Sequence, residues 1–508
     1  MEKFIKYPLL LLVLSGLLLS SCTKDFEEIN SDPNNISNAL PQQLLAPALV
    51  GTLTYNMLRS RNFNNELMHV TVEMSEAEGR VFRYDVRPNY SDYLYNGLYS
   101  ELTNFKDIYR IASDTINSVN YNKSYMGISL IMQTVCYSIL TDTYGDIPFS
   151  QSIKGRDSAI FEPAFDEQKK IYEGMFTMLE EANNLLKSNT AIVQNSDPVY
   201  NGNVQLWRKF GNSLYLRLLL RLSGKAEVSS LVQAKMKEIV QTNAANYPIM
   251  ATVDESAVLR WTGIGPYVSP FNSIREQDWR QPGMASFFID NLVIWGDPRL
   301  DITQWTGGAN RWGITTYLGA YAGVPSGYQP GTGVIRKSTM LSNTSAVSLQ
   351  KDPMTGILMT HAELQFILAE AAMKGYINTT TTAEQYYKNG ALSSIKYWMP
   401  AWNVPIDTYL TNADINWNNN YSEFQKMELI HKQKYYALFM TDMQQWFEYR
   451  RTGHPVLPMG AGLLNGGVMP ARMVYPVYVQ STNPTNYRIA VNRQGPDVQS
   501  TQVWWQKP

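Results

Sequence analysis

Cysteine is nearly missing from this chain, which carries only Cys22 and Cys136 in 508 residues. A disulfide framework needs several paired cysteines and is excluded if Cys22 is used otherwise; Cys136 then reads as a small core residue. Histidine is as scarce: His69, His361, His431 and His454 stand far apart, at no metal-ligand spacing. His361 and His431 fall inside helix-like segments and read as packing residues. Charged residues make up 17% and the net charge is −1, so the basic face needed to bind nucleic acid is absent. No His-Glu-x-x-His, Gly-x-Ser-x-Gly, Walker-type or Cys-x-x-Cys pattern occurs. Gly307-Gly308-Ala309-Asn310 lacks the strand and lysine of a phosphate loop. Glu180-Glu181 reads as a solvated helix face rather than a glycosidase carboxylate pair. The expectation is no enzyme, no cofactor and no metal ligands.

Long apolar runs are also missing, except for one. Lys3 and Lys6 precede Pro8–Leu19, an apolar core of about twelve residues that ends in Leu19-Ser20-Ser21-Cys22. A spanning helix needs roughly 20 residues, so this is the layout of a secretory signal. It resembles a bacterial lipoprotein signal, in which Cys22 is acylated and becomes the mature N-terminus. Serine at 21 departs from the commoner Gly or Ala but is still small. Residues 1–21 are therefore the expected signal peptide and residues 22–38 an acidic, polar tether with no apolar periodicity. The tether resembles the acidic export signals that send Bacteroidetes lipoproteins to the outer face of the outer membrane. No second stretch of 18 apolar residues occurs, which predicts a mature protein held on a membrane without spanning it.

Helical periodicity dominates the remainder, 39–508, read as a single domain. Residues 166–187 set Ile171, Met175, Met178, Leu179, Ala182, Leu185 and Leu186 on one stripe, with Asp166 as N-cap. Residues 126–141 are apolar on two faces, which predicts a buried helix ended by Thr143-Tyr144-Gly145-Asp146. Residues 361–375 predict a helix closed by Gly375. Thr381 with Glu384 predicts a capping box for the next helix, and 423–450 reads as one long helix. Within a helix over 204–222, Trp207, Phe210, Gly211, Leu214 and Tyr215 match the first helix of a tetratricopeptide repeat. The small residue there lets a paired helix approach closely. Ala362, Phe366, Ala369 and Ala371 form a second such surface. The roughly 34-residue period of these repeats is absent, so degenerate helix pairs with long insertions are expected. The fold class is mainly α: tetratricopeptide-like helix pairs forming a scaffold with a large irregular, loop-rich half.

That irregular half is the stretch from about 251 to 340, where the helical period fades. Five of the twelve tryptophans fall there (Trp261, Trp279, Trp295, Trp305 and Trp312), and glycines from Gly307 to Gly333 punctuate its second half. Glycine-rich loops fill cores poorly and often carry function.

Several blocks together resemble the SusD/RagB family of nutrient-binding outer-membrane lipoproteins. They are the Cys22 leader, Asp142-Thr143-Tyr144-Gly145-Asp146-Ile147-Pro148-Phe149, Trp207 to Arg221, Asp297-Pro298-Arg299-Leu300 and Leu364 to Ala371. Trp446 to Pro455, and Pro470-Ala471-Arg472 through Tyr475-Pro476 to Trp504-Trp505, complete the series. The resemblance runs the length of the chain in the right order. It implies a helical tetratricopeptide scaffold and a loop-rich half that binds an oligosaccharide or a peptide. It also implies a SusC-like TonB-dependent transporter as partner, with the lipoprotein as a hinged lid, lipid-anchored in the outer membrane and facing the cell exterior. Most of these blocks also have a plain structural reading; Trp446, Arg450 and Arg451 on one helix suit packing and buried carboxylate pairs.

In that family's fold the insert faces the segment Glu73–Tyr90 across the ligand cleft. The residues expected to touch ligand are thus Arg83, Tyr84 and Tyr90 from the first segment, and Trp279, Trp305, Trp312 and Tyr328 from the second. Rings stack on sugars or peptide side chains, and arginine donates up to five hydrogen bonds. Capture of a nutrient oligomer, a glycan above all, is favoured by the aromatic-rich insert. Peptide capture by a member of the same family, and a structural or adhesive surface role with no small ligand, are the alternatives.

Overall fold

Helix α1 (Pro41–Arg59) starts on Pro41, whose fixed φ suits a first helical position and whose missing N–H costs nothing there. Helix α2 (Tyr90–Ala112) buries Leu94, Leu98, Leu102, Phe105 and Ile108 at three- and four-residue spacing. Helix α3 (Lys123–Tyr144) is capped by Asn122, whose side chain accepts from the Ser124 and Tyr125 N–H groups, and is buried nearly all round. Helices α4 (Gln168–Leu186) and α5 (Val204–Leu222) follow, and α1 to α5 pack each on the next. The computed structural model describes residues 39–116, 118–300 and 311–507. Residues 41–508 form one unit; Cys22, the tether and Trp305 lie outside the described residues.

The repeat-like reading of α5 has a direct physical counterpart. Trp207 is fully buried and donates its indole N–H to Asp197 Oδ2 at 2.8 Å. A Cβ on Gly211 would lie 2.7 Å from Ile131 Cδ1 on α3, so a larger residue there would push the Ile131 side chain aside. The second pairing surface is carried by α7 (His361–Met373), which packs on α8 (Ala383–Trp398) and on α9 (Glu423–Ala437). Between the two helical groups lies α6 (Ser286–Ile294).

Three local expectations need correction. The long helix over 423–450 is two helices, α9 and α10 (Gln444–Thr452). Between them Met440 and Asp442 take positive φ, and the Asp442 carboxylate accepts from the Met443 N–H and the Gln444 amide. The connecting Leu438-Phe439-Met440-Thr441-Asp442-Met443 is as apolar as a helix, which hides the break. Asp166 is not the cap of α4: its carboxylate takes the Phe149 and Ser150 N–H groups at 3.0 and 2.8 Å, which ties a loop down instead. The cap of α8 is Thr382, one residue later than expected, with its hydroxyl accepting from the Gln385 N–H at 3.1 Å.

The insert is less irregular than its sequence suggests. Three two-stranded antiparallel pairs are present among the described residues: β1 (Thr71–Glu73) with β5 (Pro282–Met284), β2 (Ile147–Pro148) with β3 (Phe165–Asp166), and β4 (Ala257–Leu259) with β6 (Gly356–Met359); β4 and β5 belong to the insert, and β2 and β3 lie outside it. Helix α6 escapes the sequence reading because Ser-Phe-Phe-Ile-Asp-Asn-Leu-Val-Ile has almost no polar face to mark a period. It buries Phe288, Ile289 and Leu292.

Candidate ligand cleft

At its C-terminal end α1 passes into a wide π-helical turn, Ser60–Asn64, before one last turn at Asn65–Leu67. Such turns add a residue, rotate the side chains and are frequent at functional sites. Here the turn sets Arg61 and Asn62 beside strand β1, with Arg59 just before it. Strand β1 pairs with β5 in the register Thr71↔Met284, Val72↔Gly283 and Glu73↔Pro282. The segment after the early helices and the insert are thereby joined edge to edge. A cleft of about 430 Å³ opens between them, with Arg59, Arg61, Glu66, Tyr90 and Gln281 among its walls.

The electrostatics of the cleft are unusual. Glu66 is 5% exposed and its Oε2 meets no hydrogen-bond partner. Burial first, and then the nearby negative charge of Glu73, push its carboxyl up to about 8, so it is neutral at pH 7. Glu73 itself is paired with Arg80 at 2.6 Å. The Arg61 guanidinium stands 5.1 Å from the Trp279 ring centroid and donates to the Asp278 carbonyl at 2.6 Å. Arg59 lies over two rings, 5.4 Å from Tyr90 and 5.0 Å from Tyr93. Burial lowers the pKa of both arginines, and among the described residues neither has a carboxylate within 4.0 Å. The cleft therefore combines a half-buried ring, amide donors and two cations that make no contact ion pair, with Asp92 near Arg59 and Asp278 and Glu73 near Arg61 acting at longer range.

The profile of a SusD-like family described as starch-binding, associating with the outer membrane, matches residues 33–476. The chain belongs to this SusD-like family. It is similar to the crystal structure of a SusD homolog from Bacteroides uniformis, with 24% identity, a TM-score of 0.75, and coverage of 93% of this chain and 100% of that one. A chitin-binding SusD homolog from Flavobacterium johnsoniae matches with 20% identity and a TM-score of 0.75, over 92% of this chain and 98% of the other. A SusD-like protein from Bacteroides thetaiotaomicron matches with 21% identity and a TM-score of 0.71, over 90% and 98%. At such identities the likeness is one of fold, and it agrees with the helical scaffold seen here. No curated protein matches the chain.

The SusD-like body places the expected ligand residues unevenly. Tyr90 lines the cleft and is half-buried. Trp279 stands behind it, 2% exposed, with its indole N–H on the Leu341 carbonyl and Arg61 across its face. Arg83 and Tyr328 do meet, but as a bracket: Arg83 donates to the backbone carbonyls of Tyr328, Ala77 and Ser75 at 3.1, 3.2 and 2.8 Å. Tyr328 stacks on Phe82 with centroids 5.2 Å apart. Tyr84 is buried at positive φ, with its hydroxyl 3.4 Å from His69 Nε2. Trp312 is fully buried among Phe288, Trp398 and Phe439, away from the cleft, and offers no face to solvent. The cleft residues not anticipated are Arg59, Arg61, Asn62, Glu66 and Gln281. One signal was available: Arg59-Ser60-Arg61-Asn62 closes an otherwise apolar helix with two closely spaced arginines.

Elsewhere the SusD-like core holds a buried charge network. Arg451 grips Glu370 with two bonds, at 2.7 and 2.6 Å, and reaches Glu448 at 2.8 Å. Lys434 meets the same Glu448 at 2.8 Å, and His431 Nε2 lies 3.0 Å from Glu370. Glu370, His431 and Glu448 bring ligand-type atoms within 4.8 Å of one another, as a metal site would. Their carboxylate oxygens already face Arg451, Lys434 and Arg221, so the donor set is that of an ion-pair network joining α7, α9 and α10.

Proposed function

We propose that this SusD-like chain is a surface-exposed outer-membrane lipoprotein that captures a glycan oligomer in the cleft at Tyr90 and delivers it to a SusC-like TonB-dependent transporter. The observation that carries the reading is the cleft itself. It lies where the insert meets the Glu73–Tyr90 segment, in a chain whose family is described as starch-binding. The Tyr90 ring supplies a flat face for a sugar, while Asn62, Asn89 and Gln281 supply donors and acceptors matched to hydroxyls.

Isothermal titration against a panel of glycans and peptides tests the site. Tyr90→Ala should weaken the best glycan by roughly two- to tenfold, the usual worth of one aromatic contact, with the thermal midpoint nearly unchanged. Unaltered binding by Tyr90→Ala and by Gln281→Ala would place the site elsewhere, and binding of peptides alone would replace the glycan.

Anchoring rests on Cys22 in the leader. Cys22→Ala should move the protein from the membrane fraction to the soluble one, because stable attachment needs the acyl chains. Unchanged fractionation, with no lipid label on the wild type, would refute it. The transporter is supported by the same anchor and by the family. A permanent complex should bury on the order of 2,000 Å² or more and survive purification in mild detergent. Repeated isolation without a barrel partner would count against it.

A further inference from the structure

The charges around the cleft do not cancel. Asp278, on its rim, is turned toward Arg275 at 2.7 Å, and Glu73 is held by Arg80. Glu66, faced by Glu73, Arg61, Arg80 and the Phe82 N–H, is neutral at pH 7. What remains is Arg59 and Arg61, two guanidiniums on one wall: Arg59 lies against rings with the charge of Asp92 nearby, Arg61 against a ring and backbone carbonyls, and neither makes an ion pair with a carboxylate. Burying a cation without a countercharge is costly, and a fold keeps two such groups together when a ligand supplies the charge. The Arg59 Nε and the Glu66 Oε2 are both buried without a hydrogen-bond partner. A neutral Glu66 can donate a hydrogen bond, whereas an ionised one would repel an anion.

Resting on the reading of this cleft as the glycan site, we propose that the captured oligomer is anionic, with a carboxylate or sulfate on a sugar ring seated between Arg59 and Arg61 while that ring or its neighbour lies against Tyr90. Guanidinium forks match the planar oxygens of a carboxylate and accept a sulfate as readily, and charge-assisted bonds of this kind are about twice as strong as neutral ones. The amides of Asn62, Asn89 and Gln281 take the hydroxyls, which favours an acidic glycan over an acidic peptide.

The test is titration of the full-length protein with oligogalacturonate, oligomannuronate and a sulfated galactan fragment, each beside its carboxyl-reduced or desulfated form, and with malto- and chito-oligosaccharides. The expected result is binding of at least one acidic oligomer, weakened about tenfold or more when its charge is removed and weakened by added salt. Whether reduction or desulfation abolishes binding tells carboxylate from sulfate. Arg59→Gln and Arg61→Gln should each narrow the gap between charged and uncharged forms; if either variant misfolds, the paired ligands and the salt series still decide. Equal affinity for charged and uncharged forms, or binding of neutral oligosaccharides only, overturns the anionic ligand while glycan capture stands. Binding of peptide only, or of no glycan at all, overturns both.

Discussion

Trp312→Ala should lower the unfolding free energy by about 3–5 kcal/mol, the cost of deleting a fully buried indole and leaving its cavity. The ring is 0% exposed and sits 4.9 Å from Phe439, 5.7 Å from Phe288 and 6.2 Å from Trp398, with the Arg299 guanidinium 4.9 Å from its centroid. It therefore ties α6, within the insert, to the end of α8 and to the link between α9 and α10. Arg299 would lose its ring partner as well, although its ion pair with Asp297 at 2.7 Å would remain. Chemical denaturation followed by tryptophan-independent far-ultraviolet dichroism measures the change. A variant with wild-type stability but weakened glycan binding would reverse this assignment and return Trp312 to the ligand.

Glu370→Gln should be comparably severe, about 3–5 kcal/mol, because it strands Arg451 in the core without its main countercharge. The same network sets the response to acid. Burial alone would raise the Glu370 carboxyl, but the two Arg451 bonds and His431 outweigh it and hold its pKa far below the ordinary 4.5. Glu448 is held down in the same way by Arg451, Lys434 and Arg221. A carboxylate depressed in the folded state adds stability that is complete above about pH 4.5 and is lost as the pH falls toward the folded value. Burial also lowers the pKa of His431 below 6.5, against the pull of Glu370, so its protonation opposes folding in the same direction. The wild type should thus lose stability steeply below about pH 4.5, and Glu370→Gln should show a shallower acid limb from a lower plateau. Denaturation midpoints between pH 3 and 7 read both effects. Parallel acid limbs for the two proteins would show that Glu370 does not carry the dependence.

Helices α3, α4, α5, α7 and the start of α9 could be read from the sequence because their determinants are local, whereas α1, α2 and α6 were not read. A stripe at three- and four-residue spacing, or a small residue at 211 where α5 crosses α3, is written within one or two turns. Arg451 was legible too, as a guanidinium paired with carboxylates inside the bundle, whereas Arg450 lies over the Trp446 ring and donates to the Asp142 and Ala471 carbonyls instead. The break between α9 and α10 was not legible, because an apolar linker looks like more helix until its positive φ angles are seen. The insert's tryptophans were ambiguous for a different reason: an indole packed in a core and one set out for a ligand have the same composition and neighbours. Only the tertiary structure separates Trp312, walled in by rings from three distant segments, from Tyr90, left open on one side. The cleft was equally out of reach. Its walls come from residues 59–66, 73–90 and 278–282, and the bond from Arg61 to Asp278 spans 217 positions. Which charges stay unpaired there depends on distances across that span, and long-range packing alone sets them.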